Sequence, residues 1–201
     1  MQADFSIECG ADDECLEIPW ASEDGTLCYV DLKQNPALME NLEEARRFPE
    51  LAEFLRNANS RTSAFQTAKC DAGFTRELTL EDEIFETTGK FWCYIDLFFT
   101  SPEKRASFEK NKSVAESLEA RLEQEPDTPA AVEFLVRRCY FHGEIPTDGF
   151  YITCYVFGYS DGEEKARQFW GTALRLLEGS LGKVSAEMWG IRHGSGRTKP
   201  T

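Results

Sequence analysis

The chain has 201 residues, of which 41% are hydrophobic and 12% aromatic, and it carries a formal net charge of −14. These proportions are typical of a folded globular protein and argue against a disordered chain. The excess of negative charge excludes the basic surface on which nucleic-acid-binding proteins depend. No apolar run approaches the roughly 20 residues of a membrane-spanning helix.

The first part of the chain predicts short strands followed by a helical stretch. Alternating apolar residues are typical of strands, and apolar residues three or four positions apart are typical of helices. Pro49 should break or kink the helical stretch. The predicted elements are strands over residues 3–9, 15–20 and 27–32, a helical stretch over 36–57 and an extended segment over 62–69. Residues 72–89 are ambiguous, and a strand over 77–85 is one interpretation of them.

The second part of the chain has a clearer pattern. Ser101 and Pro102 are the residue types of a helix N-cap and first helical position, and Gly179 is the type that ends a helix. The predicted elements are strands over residues 90–100, 131–141 and 150–159, helices over 102–124 and 161–177, and a final strand over 183–189.

A six-residue phrase occurs twice, as Leu27-Cys28-Tyr29-Val30-Asp31-Leu32 and as Trp92-Cys93-Tyr94-Ile95-Asp96-Leu97. Each copy alternates like a strand, and each is followed by a Pro and a helical pattern. A repeated strand–helix unit is typical of an internally duplicated protein. From residue 90 the predicted order is β-α-β-β-α-β, which is the ferredoxin-like arrangement.

The predicted fold is therefore α+β, with internally duplicated ferredoxin-like (βαββαβ) units whose antiparallel sheets carry helices on one face. Three parts are predicted: an acidic N-terminal β-α-β half over residues 1–89, a C-terminal ferredoxin-like half over 90–191, and a flexible basic tail over 192–201. A resemblance at the level of fold does not identify a function.

Strand alternation also predicts which side chains share a face. In the repeated phrase, Cys and the aliphatic residues lie on one face, while Tyr and Asp lie on the other. The first face should pack on the helices, so the second should belong to the sheet surface that the helices leave uncovered. An aromatic surface of this kind is too apolar to remain bare, so the other half of the chain, a second subunit or a ligand should cover it. The residues predicted to line a ligand site there are Tyr29, Asp31, Tyr94, Asp96, Arg137, Tyr151 and Tyr155.

Other reactive residue types support weaker hypotheses. The acidic clusters at residues 12–14 and 81–83 lack the spacing of a calcium loop and are interpreted as solvated turns. Cys70 follows Lys69, which can activate a thiol, but an ordinary cysteine is the simpler interpretation. His142, in a loop at a strand end, is a candidate acid–base group. The seven cysteines include no Cys-x-x-Cys pair and there are two histidines, so no metal site is predicted.

No catalytic motif identifies a reaction or a cofactor. The principal hypothesis is a soluble cytoplasmic binding or interaction domain that takes a small molecule or a protein on its aromatic sheet face. One alternative is an enzyme with an acid–base pocket between two half-sheets, using Asp31, Asp96, Arg137 and His142. Another is a self-associating structural domain, such as a homodimer. The cytoplasmic prediction depends on the unpaired cysteine pattern and on an N-terminus without the features of a secretion signal, and neither nucleic acid nor membrane is an expected partner.

Overall fold

Six strands form one mixed sheet in the computed structural model, which describes residues 1–190. The order across the sheet is β1-β5-β6-β4-β3, and β2 pairs with β5 beyond the end of β1. Because β1 and β2 both run parallel to β5, the prediction of a purely antiparallel sheet is wrong, while the α+β class is confirmed. The strands are β1 (Gln2–Glu8), β2 (Cys15–Ile18), β3 (Phe65–Thr75), β4 (Lys90–Phe99), β5 (Ala130–Phe141) and β6 (Thr147–Tyr159).

The long α-helices pack against one face of the sheet. Pro49 is the first residue of a helix, as its fixed φ favours, so the predicted break in the first helical stretch is confirmed. Ser101 caps one short helix and Ser107 caps the next, which divides the predicted helix over 102–124 in two. The helices are α1 (Glu43–Arg47), α2 (Pro49–Ala58), α3 (Pro102–Arg105), α4 (Phe108–Leu122) and α5 (Glu163–Met188), with 3₁₀ helices at Pro36–Asn41 and Glu81–Phe85.

The main core lies between this helical layer and the sheet. Trp170 of α5 is fully buried and contacts the ring of Phe91 on β4, with 4.7 Å between ring centroids. Gly158 of β6 allows this close approach, because a Cβ there would overlap the backbone of Ala166 and Trp170. Helix α5 therefore rests directly on β6. None of the helices within residues 1–190 has the length and apolar character needed to cross a membrane.

Helix α5 is longer than the sequence suggests. The prediction that a helix ends at Gly179 and that a strand covers residues 183–189 is wrong, because α5 continues to Met188. A glycine inside a helix costs only about 1 kcal/mol. Burial of Leu181 and Val184 outweighs that cost, and the Ser185 hydroxyl accepts a hydrogen bond from the backbone N–H of Ala64.

The predicted internal duplication is not confirmed. The segment β4-α4-β5-β6 does have a split β-α-β arrangement, in which β6 lies between β4 and β5. However, the position beside β4 that a final strand was expected to take is occupied by β3. Both predicted halves, residues 1–89 and 90–191, supply strands to this one sheet, and the predicted tail over 192–201 lies outside the described residues.

The first copy of the repeated phrase is not a strand, which corrects the prediction for residues 27–32. Its only sheet-like pairing is an isolated bridge between Ala21 and Cys28. The strand pattern alone does not make a strand, because a strand also needs a neighbouring edge to pair with. Here Tyr29 packs on the sheet face opposite the helices, which we call the open face, while Leu32 is buried in the core under the helices.

Two segments lie over this open face. The first strap, residues 19–31, is anchored where the Trp20 indole donates to the carbonyl of Ala68 over 2.9 Å. The second strap, residues 79–86, is anchored through Asp82 and through Phe85, whose ring stacks on Tyr159 with 3.7 Å between centroids. Side chains of β4, β5 and β6 remain partly accessible between the two straps.

Candidate functional site

A cavity of about 140 Å³ lies on the open face beside the first strap, and we call it the tyrosine cavity. It is similar in size to an engineered cavity of about 150 Å³ that binds benzene. Five of the residues predicted from the sequence meet here, together with three that were not predicted. The lining residues are Tyr94, Asp96, Arg137, Tyr151 and Tyr155, and in addition Glu14, Leu16 and Lys69.

Sheet register explains why these side chains converge. Asp96 of β4 lies opposite Thr153 of β6, and Tyr94 lies opposite Tyr155. Arg137 of β5 lies opposite Tyr151 of β6. The alternate residues of the same strands, such as Ile95 and Cys154, belong to the core under the helices. The face assignment made from strand alternation therefore matches the structure for these three strands.

Asp96 is the most unusual residue of the tyrosine cavity. Its side chain is buried, with 5% exposure, and its Oδ1 accepts a hydrogen bond of 2.7 Å from the Thr153 hydroxyl. Among the described residues no donor reaches Oδ2, and no Lys or Arg nitrogen lies within the 4.0 Å of an ion pair. Burial raises the pKa of the Asp96 carboxyl to about 6, although the Thr153 hydrogen bond and the charges of Lys69 and Arg137 oppose the rise.

The two cations of the cavity differ in how they are held. Arg137 forms an ion pair with Glu8, at 2.8 Å between Nη2 and Oε2, so its charge is already matched. The Lys69 ammonium lies 4.8 Å from the centre of the Trp20 ring and forms no ion pair with any described carboxylate. Lys69 is thus the cation on the cavity wall whose charge remains unmatched.

The tyrosines supply aromatic walls and hydroxyl groups. The rings of Tyr94 and Tyr155 lie 6.3 Å apart between centroids and are tilted by 53°. Burial, with the nearby Asp96 charge, raises the pKa of Tyr94 to about 12, so its hydroxyl stays protonated at neutral pH. The accessible lining of the cavity is mainly polar, and the aromatic rings supply its smaller apolar part.

Two residues predicted for the site do not reach the cavity. The Tyr29 hydroxyl accepts a hydrogen bond of 2.7 Å from Gln66 under the first strap. Asp31 accepts hydrogen bonds from the backbone N–H groups of Lys33 and Gln34, so it closes a local turn. Both residues belong to the first copy of the repeated phrase, which is not a strand, so the pairing that aligns Tyr94 and Asp96 with β6 does not apply to them.

The other candidate residues lie outside the cavity. His142 is exposed, and its Nε2 lies 3.1 Å from Oε2 of Glu17, which is also exposed. Burial raises the pKa of the Cys70 thiol well above its ordinary value, which disfavours a reactive thiolate there. Within residues 1–190 no group of three or more His, Cys, Asp or Glu side chains has the arrangement to hold a metal ion.

Asp82, under the second strap, provides a contrast to Asp96. It is equally buried, at 4% exposure, but it accepts from the Lys90 ammonium at 2.6 Å and from the Tyr159 hydroxyl at 2.8 Å. Burial acts to raise the pKa of Asp82, but the hydrogen bonds from Lys90, Thr79 and Tyr159 outweigh it and hold the pKa below the usual value. Asp82 is thus a satisfied structural carboxylate, whereas Asp96 has one hydrogen-bond partner and no ion-pair partner among the described residues.

Three lining residues were missed for identifiable reasons. Lys69 lies at an irregularity in the β3–β4 pairing, between Thr67 and Cys70, so strand alternation cannot place it. Glu14 and Leu16 reach the cavity through the parallel pairing of β2 with β5, which connects segments far apart in the sequence. No local sequence signal reports such a contact.

Comparisons of the chain with family models, with curated proteins and with solved structures gave no match.

Proposed function

We propose that this protein binds a small polar molecule in the tyrosine cavity. The observation that carries the proposal is Asp96, a buried carboxyl group whose Oδ1 accepts from Thr153 and whose Oδ2 has no donor among the described residues but is accessible from the cavity. Burying a charged group costs free energy unless it is well paired. Proteins tolerate such costs chiefly at functional sites, and a ligand that donates to Asp96 would remove the cost.

The size and lining of the cavity restrict the ligand. A volume of about 140 Å³ suits a molecule of about six non-hydrogen atoms, the size of benzene. The ligand must carry at least one hydrogen-bond donor for Asp96, and its carbon skeleton would contact the rings of Tyr94 and Tyr155. A macromolecule could insert only a side chain or a terminal group of that size.

A fragment screen by two-dimensional NMR tests this proposal. Fragments that bind are expected to shift the resonances of Tyr94 and Tyr155 and to lose affinity in Tyr155→Ala. Phe157→Ala is the matched control, since Phe157 lies on the same face of β6 with its ring parallel to Tyr155, but outside the cavity. The proposal fails if no fragment binds. It also fails if the fragments that bind shift the resonances of residues outside the cavity and bind to Tyr155→Ala with unchanged affinity.

An enzymatic function is the second candidate, and the pKa of Asp96 favours it. A carboxyl group with a pKa of about 6 can both accept and donate a proton near neutral pH, as a general acid–base catalyst must. Mass spectrometry of a bound ligand after prolonged incubation separates the two functions. A binding protein returns its ligand unchanged, whereas an enzyme converts it at a rate that Asp96→Asn reduces by at least about 100-fold, the usual contribution of such a group.

We further propose that the protein works as a monomer in the cytoplasm. All seven cysteines lie within the described residues and are free, as is usual in a reducing compartment. On the edge strands, Asp4 accepts from the N–H of Phe5 and Asp71 accepts from the N–H of Ala72. Charged side chains on edge strands disfavour pairing with a second chain, which counts against a homodimer formed by sheet extension. Light scattering at micromolar concentration tests this: a stable dimer would contradict it.

A further inference from the structure

We infer that the ligand of the tyrosine cavity is zwitterionic, with an ammonium group that pairs with Asp96 and a carboxylate or similar anionic group that pairs with Lys69. The inference rests on the proposed function and adds the chemical class of the ligand. It depends on which charges line the cavity and on which of them already have partners.

The ammonium group is inferred from Asp96 and its aromatic surroundings. A charged donor stabilises a buried carboxylate more than a neutral donor does, because the attraction between opposite charges adds to the hydrogen bond. The rings of Tyr94 and Tyr155 flank the same space, and aromatic faces attract cations. A carboxylate between aromatic walls is therefore complementary to an amine.

The anionic group is inferred from Lys69. Of the two cations that line the cavity, Arg137 is paired with Glu8, and Lys69 has no carboxylate partner among the described residues. The contact with the Trp20 ring, which is itself fixed by a hydrogen bond to Ala68, holds the Lys69 ammonium at the cavity wall. An anionic group on the ligand would provide the missing partner.

Ligands with a single charge fit this lining less well. A simple amine would pair with Asp96 but would lie close to the unmatched charge of Lys69. A simple carboxylate would pair with Lys69 but would lie beside Asp96, which is ionised above its pKa. Because Arg137 is paired with Glu8, Glu14 is a second carboxylate of the lining without an ion-pair partner among the described residues. Glu14 is exposed to solvent, so Asp96 remains the buried carboxylate that a ligand ammonium would pair with.

Calorimetry with matched probes tests the inference at pH 8. The probes are β-alanine, 4-aminobutanoate and 5-aminopentanoate, which cover a range of charge separations. Each is compared with the amine and the carboxylate of equal chain length and with 1-propanol. We expect one of the amino acids to bind at least tenfold more tightly than its amine and its carboxylate.

Two variants should remove this preference in different ways. Asp96→Asn should bind the amino acid no better than the carboxylate, and Lys69→Met should bind it no better than the amine. Lys165→Met is the matched control, because the Lys165 ammonium also lies over an aromatic ring, that of Phe169, but outside the cavity. It should bind as the unmodified protein does.

The outcomes distinguish the inference from the function on which it rests. If the amine, the carboxylate or 1-propanol binds in the cavity as tightly as every amino acid, the inference is wrong and the proposed function stands. The same holds if the NMR screen finds fragments in the cavity while all three amino acids fail to bind. If neither the screen nor the probes detect binding at Tyr94 and Tyr155, both fail.

Discussion

Replacing Asp96 with Asn should stabilise the protein at neutral and basic pH. Burial raises the pKa of Asp96 from 3.8 to about 6 in the folded state, so the folded chain binds this proton more tightly than the unfolded chain does. The resulting stabilisation is fully present below the unfolded pKa and is lost as the pH rises through about 6. Asn keeps an oxygen that can accept from Thr153 but has no charge to bury.

The size of the effect follows from the shift. A rise in pKa from 3.8 to about 6 corresponds to about 3 kcal/mol, since each tenfold change in proton affinity is worth about 1.4 kcal/mol. Asp96→Asn should therefore be about 3 kcal/mol more stable than the unmodified protein at pH 8. The same linkage relation limits the difference to less than about 1 kcal/mol at pH 4.

Urea unfolding followed by circular dichroism at several pH values between 4 and 8 measures the difference in unfolding free energy. Asp82→Asn is the matched control of opposite sign. The pKa of Asp82 is held below its usual value, so its contribution is present at neutral pH and is lost in acid. That variant should lose about 3 kcal/mol at pH 7, because Lys90 keeps a buried charge without its partner. A difference for Asp96→Asn that does not change with pH, or a loss of stability at pH 8, would refute the reasoning.

Three further predictions concern the fold. Gly158→Ala should lower the free energy of unfolding in urea by at least about 2 kcal/mol, because its Cβ overlaps the backbone of α5. Gly182 is an exposed residue of α5, so Gly182→Ala should raise that free energy by about 0.5–1 kcal/mol. Equal effects of the two substitutions would contradict this reasoning. The double variant Asp4→Thr, Asp71→Thr should form oligomers detectable by light scattering, because both edges of the sheet lose a charge that disfavours pairing with a second chain. A molar mass equal to that of the unmodified protein would contradict this. Trp20→Phe should lower the free energy of unfolding by about 1 kcal/mol, because the hydrogen bond to Ala68 is lost. An unchanged free energy would show that this hydrogen bond does not stabilise the first strap.

The parts of the fold that depend on local pattern were predictable. Strands β4, β5 and β6 have strong alternation, and alternation alone placed Tyr94, Asp96 and Tyr155 on one face. The capping role of Ser101 and the break at Pro49 also follow from local chemistry. In each case the residue itself and its near neighbours decide the structure.

The wrong predictions concern segments whose structure depends on contacts with residues distant in the sequence. Residues 27–32 have a strand pattern but pair with neither free edge of the sheet, and residues 27–31 belong to the first strap. Residues 183–189 have apolar residues that suit either a strand or a helix, and packing on the sheet selected the helix. For the same reason, only two of the four charged residues of the cavity, Asp96 and Arg137, were predicted. Lys69 is placed by the irregular pairing of β3 with β4, and Glu14 by the parallel pairing of β2 with β5.

The parallel pairing at the edge of the sheet has a consequence for how the cavity comes into being. Gln2 pairs with Ala131 and Cys15 pairs with Arg138, so β1 and β2 can join the sheet only when β5, far along the chain, is in place. Pairings over such long sequence separations close slowly. Until they do, Glu14 and Leu16 are absent from the cavity wall, and the proposed binding site is incomplete. Binding of the proposed ligand would therefore report completion of the fold as a whole.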